Sequence, residues 1–527
     1  MKFPDYLARV LKSHGVRYWF GIPGGPSVPY LEAFRNKGIE FILTSHEASA
    51  AVMADVTARL TGITGICHAT FGPGATNLST GVGGALLDRS PMLALTSEMP
   101  DEWLGRTAQM NIDHQALFKP LTKATFRLTP GNAGEVIDHS LAIANEEYPG
   151  PVHIGLPSDL AGNEVILPGT KEDVGHGSFS EKINERVRVL LASSRRPLIA
   201  AGLTAMRTRA GNRLRNFLGQ CHVPVVMTPM AKGIIPSDHP SYAGVLFHAL
   251  SNRLERLVSE ADLVIGLGYD PVEFNYESWL HDVPLVHFDT RETDVRHKGV
   301  LQVAAPYERW FEYLGELKSS PEMMSLAAEA RSVIRNELHA ASRGFTPVTV
   351  IELLQDMLPP DAVVTADVGS HLHLMGQMWK IPESGKLIMT NGWSSMGFSL
   401  PAAIAAALAD RNATVVCVTG DGGMMMHAGE MLTARRYGLK IITVVLSDGE
   451  LNLIRQKESW IRIRPYGTAL YSGSLFGSAR FLGTDVISVS GRTQMRNAVN
   501  RALLSDKSVI IEAKIDPAVY SDLIVRS

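Results

Sequence analysis

The chain has 527 residues, 45 % hydrophobic and 20 % charged, proportions that exclude a disordered or fibrous protein. Fifty basic against 53 acidic side chains leave a net charge of −3, which excludes a chain-wide basic field for gathering nucleic acid or anionic membrane. Three scattered cysteines, Cys67, Cys221 and Cys417, are too few for a disulfide framework or a Cys-rich zinc site, and a reducing cytoplasm fits them best.

In chain order, the N-terminal MKFPDYLARVLKSHGV mixes apolar and charged residues without a secretory hydrophobic segment. No later apolar run approaches the roughly 20 residues that span a bilayer. A soluble, cytoplasmic protein is expected. From there a repeated rhythm sets in of a short β-branched run, a Gly-rich turn and an apolar stripe at helical spacing. GITGICHAT leads into GPGATNLSTGVGGALLD, PLIAAG leads to RAGNRLRNFLGQ, ADLVIGLG follows, and ATVVCVT leads into GDGGMMMHAGEMLTARRYG. Strand alternating with helix in this way predicts parallel sheets covered by helices.

At roughly 100–200 residues per domain the length suggests about three domains. A polar, Gly-rich connector between about 160 and 187 and a charged helical stretch between about 316 and 346 divide the chain into 1–165, 180–325 and 345–527. The fold class is α/β, with three domains that are each a parallel sheet flanked by helices. The outer two share a strand, Gly-rich turn and helix plan.

The strongest chemical signal starts at Gly420-Asp421-Gly422-Gly423, after the strand ATVVCVT and before a helix expected from about Met424. Glycines let the backbone approach an anion, and free N–H groups at a helix start attract phosphate. Asp421 at the strand end suits a hard cation such as Mg²⁺, shared between a carboxylate and substrate phosphates. After one helix and the strand IITVVL comes Ser447-Asp448-Gly449-Glu450. One strand–helix–strand crossover returns Asp448 to the sheet edge that carries Asp421.

With these segments the sequence resembles the thiamine-diphosphate-dependent decarboxylase and carboligase superfamily, whose signature is Gly-Asp-Gly followed at this spacing by Asn-Asn or Asp-Asn. The resemblance implies that Asp421, Asp448 and the main chain of Glu450 bind Mg²⁺. Ser447-Asp448 departs from the usual Asn-Asn and adds a negative charge beside a diphosphate. FILTSHEASAAVMADVTARLTG matches the family segment that carries the carboxylate activating the pyrimidine ring, which makes Glu47 that residue. GIPGGPSVPYLEAF (21–34) and ATFGPGATNLSTG (69–81) match in register with it. DVGSHLHLMGQ (367–377) resembles a second diphosphate-binding turn, with Gly369, Ser370 and His371 near the phosphates. TNGWSSMGFSLPAAIAAAL (390–408) resembles the segment under the thiazolium. There Met396 wedges between the rings, while the Ser394 carbonyl and the Met396 N–H hold the pyrimidine edge.

The resemblance covers nearly the whole chain and is closest to the FAD-independent catabolic acetolactate synthases, through MAKGIIPSDHPSYAG (230–244), ADLVIGLGYDPVEFNYESW (261–279) and VHFDT (286–290). It implies an N-terminal pyrimidine-binding domain, a central structural domain without FAD and a C-terminal diphosphate-binding domain. It also implies thiamine diphosphate and Mg²⁺ as cofactors, and a homodimer or homotetramer with active sites at the dimer interface. The implied reaction decarboxylates a 2-oxo acid and ligates the resulting enamine to a second carbonyl. His68 sits similarly to a catalytic histidine of benzoylformate decarboxylase, and a strand-core role for it stays open. Gln109 stands near the place of a helper glutamine, one residue off in spacing. Phe71 replaces a small residue on the acceptor side. A non-oxidative 2-oxo acid decarboxylase or aldehyde lyase is the alternative, with a CoA-ester lyase or a non-catalytic homologue behind it. A nicotinamide dehydrogenase is disfavoured because no Gly-x-Gly-x-x-Gly opens a helix after the first strand.

Overall fold

The computed structural model describes residues 1–165, 185–273, 278–382 and 386–524. Most of the expected 160–187 connector lies outside the described residues, as do 274–277 of the 261–279 stretch.

Three sheets follow one another along the chain. The first contains β1 (Tyr18–Gly21), β2 (Glu40–Leu43), β3 (Gly65–Ala69), β4 (Met92–Glu98), β5 (Ala124–Arg127) and β6 (Pro151–Pro157), in the order β2-β1-β3-β4-β6-β5. The second contains β7 (Pro197–Ala201), β8 (Val225–Met227), β9 (Tyr242–Val245), β10 (Leu263–Leu267), β11 (Leu285–Asp289) and β12 (Leu301–Ala304), in the order β12-β11-β10-β7-β8-β9. The third contains β13 (Val363–Ala366), β14 (Lys386–Ile388), β15 (Val415–Gly420), β16 (Ile441–Ser447), β17 (Arg480–Phe481), β18 (Thr484–Val489) and β19 (Val509–Lys514), in the order β14-β13-β15-β16-β19-β18-β17. Without the two-residue β17, the third sheet repeats the strand order of the first, while the middle sheet is wound differently. All pairings within the sheets are parallel except β17 with β18, a short antiparallel edge. No helix among the described residues is long and apolar enough to cross a membrane.

Strands such as IITVVLS in β16 are buried on both faces, which is why they read as continuous apolar runs. The helix Glu47–Thr61 (EASAAVMADVTARLT) and the helix Ser399–Ala409 (SLPAAIAAALA) are rich in Ala, and both lie in one apolar core shared by the first and third units. Gly81, on the helix Pro73–Leu87, has no room for a side chain, since an added Cβ would stand 2.6 Å from the Ala51 Cβ. Small residues thus let these helices approach closely enough to hold the sheet edges of both units in place. The charged stretch near 316–346 forms the helix Pro321–Ala341, whose apolar face joins a second core spanning the middle and third units.

The helix expected from Met424 instead runs Asp421–Met426, and a second helix, Glu430–Arg436, follows. Gly422 and Gly423 therefore lie inside the first turn of a helix. Gly423 is needed there because the Asp367 carboxylate occupies the space its side chain would fill.

Candidate active site

In the third sheet the neighbouring strands β13, β15 and β16 each end one residue before an aspartate, namely Asp367, Asp421 and Asp448. The chain leaves β13 toward one side and β15 toward the other, so these carboxyl ends flank the point where the strand order reverses, the place in an open sheet where a crevice forms.

The three carboxylates have different work. Asp367 is buried and ties the edge together. Its Oδ1 accepts from the N–H of Val368 (2.7 Å) and of Gly397 (2.8 Å), and its Oδ2 accepts from the Thr419 hydroxyl (2.6 Å). Burial raises its pKa to about 6. The Asp421 Oδ1 accepts from the N–H of Gly422 (2.8 Å). Its Oδ2 accepts from the N–H of Asp448 (3.1 Å), the N–H of Gly449 (2.7 Å) and the Tyr471 hydroxyl (3.0 Å). Asp448 therefore meets Asp421 through its main chain, while its own carboxyl group is pushed up to about 7 by burial and then by the charges of Asp421 and Glu450. The Glu450 side chain turns to Arg455. Like charge beside a partly buried carboxyl group holds its proton on, and a divalent cation would relieve that repulsion at Asp448. The oxygen-rich donor set fits Mg²⁺.

Beside the aspartates is an anion cradle. Gly369 precedes the helix Ser370–Met378, and the His371 ring fills the space beside both Gly369 and Gly420. An added Cβ would lie 2.8 Å from that ring at Gly369 and 3.1 Å at Gly420. The Ser370 hydroxyl and His371 Nε2 are buried without a hydrogen-bond partner among the described residues. Burial lowers the His371 pKa to about 4, so the ring is neutral. Orphaned buried polar atoms carry a desolvation penalty that a bound group removes. Two such atoms at a helix start beside glycines fit a diphosphate. Met396 closes the floor, with its Cε, the Leu451 Cδ2 and the Leu470 Cδ1 standing 3.1, 3.1 and 3.5 Å from where a Gly422 Cβ would be. Ser394 next to it adopts φ +53°, and its hydroxyl donates to the Asn391 carbonyl (2.6 Å).

Glu47 lies at the edge of the first sheet. It opens the helix Glu47–Thr61, is buried, and its Oε2 accepts from the Asn77 amide (3.0 Å) on the helix Pro73–Leu87. Its helix is anchored to the third unit of the same chain. The buried Glu430 Oε1 accepts from the N–H groups of Ser45 (3.0 Å) and His46 (3.1 Å), and Ser49 Oγ pairs with His427 Nδ1 at 2.7 Å.

Besides Glu47, which lies in the first unit with Asn77 rather than in the aspartate row, two of the expected residues stand apart. His68 is fully enclosed in β3 and both ring nitrogens are engaged, Nδ1 with the Leu95 carbonyl (3.0 Å) and Nε2 with the Ser27 hydroxyl (2.6 Å). It packs against Trp19, and burial lowers its pKa to about 4. This geometry fits the strand-core role that the sequence left open for His68 beside the proton-relay expectation. Gln109 is exposed on a loop, and it is the backbone of the next residue, Met110, that meets Gly72. Asp367, Asn77, Tyr471 and Glu430 went unnoticed in the sequence. Only Asp367 carried a signal there, as an acidic residue directly before a Val-Gly-Ser turn.

Comparison with known proteins gives three matches in chain order. Residues 1–117 match the thiamine pyrophosphate enzyme N-terminal TPP binding domain, 185–306 the central domain and 367–513 the C-terminal TPP binding domain. Similar relatives include a probable acetolactate synthase large subunit of Methanocaldococcus jannaschii, 29 % identical over 98 % of this chain and 92 % of the relative. The large subunit of acetolactate synthase isozyme 2 of Escherichia coli is 29 % identical over 98 % of this chain and 96 % of its own. An acetolactate synthase of Bacillus subtilis is 27 % identical over 98 % and 93 %.

Proposed function

Because this chain belongs to the thiamine pyrophosphate enzymes and is an enzyme of their acetolactate synthase-like kind, we propose that it releases CO₂ from a small 2-oxo acid and joins the remainder to a second carbonyl compound, using Mg²⁺. The bound coenzyme supplies the electron sink for breaking and making the carbon–carbon bonds. The chain's own residues bind it, shape it and handle protons.

In this reading Asp421, Asp448 and the main-chain carbonyl of Glu450 would hold the metal, whose charge would offset the carboxylates beside the diphosphate. Gly369, Ser370, His371, Gly420, Gly422 and Gly423 form the cradle, where the Ser370 hydroxyl and His371 Nε2 gain the partners they lack. Met396 supports the coenzyme from below, with the Ser394 carbonyl and the Met396 N–H at its pyrimidine edge. Glu47 holds a proton against a pyrimidine ring nitrogen, in a pocket dry enough to strengthen that bond. Residues 1–165 serve the pyrimidine, 345–527 the diphosphate, and 180–325 are structural.

Glu47 of one protomer serves the diphosphate site of the other, in a homodimer or a homotetramer working in the cytoplasm. Met425 and Met426, exposed on the helix that Asp421 opens, support a second copy covering this edge. A middle unit without FAD is supported by its own reversal point. There the Gly202 N–H donates to the Leu267 carbonyl (2.9 Å) and the Thr204 N–H to that of Gly268 (3.0 Å), so backbone fills the crevice.

The observation that carries this function is the row Asp367, Asp421 and Asp448 beside two orphaned polar atoms. Incubation with thiamine diphosphate, Mg²⁺ and a panel of 2-oxo acids tests it by following CO₂ and products. Coupled 2-hydroxy ketones are expected. Aldehyde alone would turn the reading to a simple decarboxylase, and no CO₂ from any acid would overturn it.

A further inference from the structure

Glu98, His114 and His153 form a buried cluster in the first unit, with one possible ligand atom of each lying within 4.8 Å of the others. It is not built for a cation, because the Arg127 guanidinium is already on Glu98. The hydrogen bonds within it have a single direction. The Gly72 N–H donates to His114 Nε2 (3.3 Å), so a neutral His114 carries its proton on Nδ1, 2.9 Å from the Thr96 hydroxyl oxygen. With that oxygen accepting, the Thr96 proton points to His153 Nε2 (2.7 Å), and His153 Nδ1 then donates to Thr125 (2.6 Å). Thr125 donates to Gln115 Oε1 (2.7 Å), and the Gln115 amide donates to Glu98 Oε1 (2.6 Å). Every proton in the chain is assigned from its two ends. Burial lowers the pKa of both imidazoles, which keeps them neutral as the chain requires. The fold makes room for it. Gly155 leaves the space the Glu98 carboxylate occupies, and the Phe118 ring stacks on His153 at 4.3 Å.

The chain ends at the turn that faces Glu47. Gly72 has φ +46° and starts the helix Pro73–Leu87, with the Met110 backbone so close that an added Cβ would lie 2.8 Å from its carbonyl oxygen. Two residues on, a Cβ at Gly74 would stand 3.4 Å from Glu47 Oε1, and one turn further Asn77 holds Glu47 Oε2. Whatever fixes the Gly72 N–H therefore fixes how the Phe71–Gly74 turn sits over the activating carboxylate.

We propose that His114 is a positioning residue for the reaction, holding the Phe71–Gly74 turn against Glu47 by accepting the Gly72 N–H, and so shaping the side of the site that the second carbonyl compound enters. This rests on the function proposed above. A ring held in one tautomer by six partners in series offers Gly72 a lone pair at a fixed point, which a solvated side chain does not. Phe71, beside that bond, is carried with it.

The test compares three variants of the full chain loaded with coenzyme and Mg²⁺. H114Q keeps an acceptor at the Nε2 position, H114N keeps a donor toward Thr96 but loses that acceptor, and H114A loses both. The readout is coupled product per CO₂ released, with thermal midpoints recorded alongside. H114Q is expected to keep the wild-type ratio, while H114N and H114A lower it about fivefold, the worth of one ordinary hydrogen bond. H114Q and H114N bury similar amides, so a shared loss of stability cancels between them. Equal ratios in all three with an active wild type would overturn this inference alone. A wild type that releases no CO₂ would overturn the function it rests on, and the inference with it.

Discussion

The first and third sheets share the strand order β2-β1-β3-β4-β6-β5, with β17 added in the third, yet their carboxyl edges have opposite characters. At the reversal point of the first sheet, between β1 and β3, the Ser27–His68 bond closes the crevice, and a Cβ on Gly21 would lie 2.5 Å from the His68 carbonyl oxygen. His114, His153 and Glu98 nearby are saturated in the same way. At the matching place in the third sheet, Ser370 and His371 keep polar atoms without partners, and Asp421 faces Asp448 with like charge. One topology thus yields two kinds of edge. At the first edge the reversal point is closed, although the Thr44 hydroxyl just after β2 is also buried without a partner among the described residues, and a single carboxylate, Glu47, is presented. An unsaturated edge is costly when empty and gains by binding.

The sharpest way to break this contrast is to remove the working group from each side. Glu47→Gln is expected to lower kcat by about 10²–10⁴-fold, the range of a lost general acid–base group, with coenzyme affinity nearly unchanged. Unchanged turnover would take Glu47 out of the mechanism. Asp421→Ala should do the reverse and weaken Mg²⁺-dependent coenzyme retention by about 100-fold, read by calorimetry. Full retention would refute the metal site.

A pH series sharpens the account of the charged edge. The Asp448 carboxyl group is raised to about 7, so without metal it is protonated below that pH and ionised above it. Mg²⁺ requires the ionised form. Its apparent affinity should therefore rise about tenfold per pH unit on approaching about pH 7 from the acid side and level off above. Asp448→Asn removes the titrating group and should flatten the curve, and a variant that kept the rise would place its origin elsewhere. The smallest effect is expected at the closed reversal point of the first sheet. His68→Ala leaves the Ser27 hydroxyl and the Leu95 carbonyl without their partner, at about 1–3 kcal/mol of stability. Turnover per folded enzyme should stay within about twofold, because the ring is fully buried against Ser27, the Leu95 carbonyl and Trp19, and burial holds it neutral. A large fall in kcat with an unchanged thermal midpoint would return His68 to the proton-relay role.

What could be read ahead of the structure follows the range of each interaction. Asp421 and Asp448 were legible because one strand–helix–strand unit joins them, and the regular geometry of that unit brings their strand ends together. Asp367 was not, since its partners Val368, Gly397 and Thr419 come from three separate segments that only the folded sheet gathers. The same holds for His114, bound to Gly72 and Thr96 through contacts that no local pattern encodes. The start of the helix at Asp421 was misplaced because glycines inside a helix read as a turn. Their reason is the Asp367 carboxylate packed against Gly423, which is again a contact distant in sequence. His68 shows the limit of a positional likeness, which names a residue but not its surroundings; here Ser27, Leu95 and Trp19 enclose the ring.

Whether the two edges work together across a pair of protomers is tested by mixing the separately inactive E47Q and D421A proteins under conditions that exchange subunits. Each mixed dimer then contains one site with both native groups and one with neither. Recovery of up to about a quarter of wild-type activity is expected on random exchange, since about half the dimers are mixed and each has one working site. A mixture that exchanges fully and stays inactive would contradict that expectation.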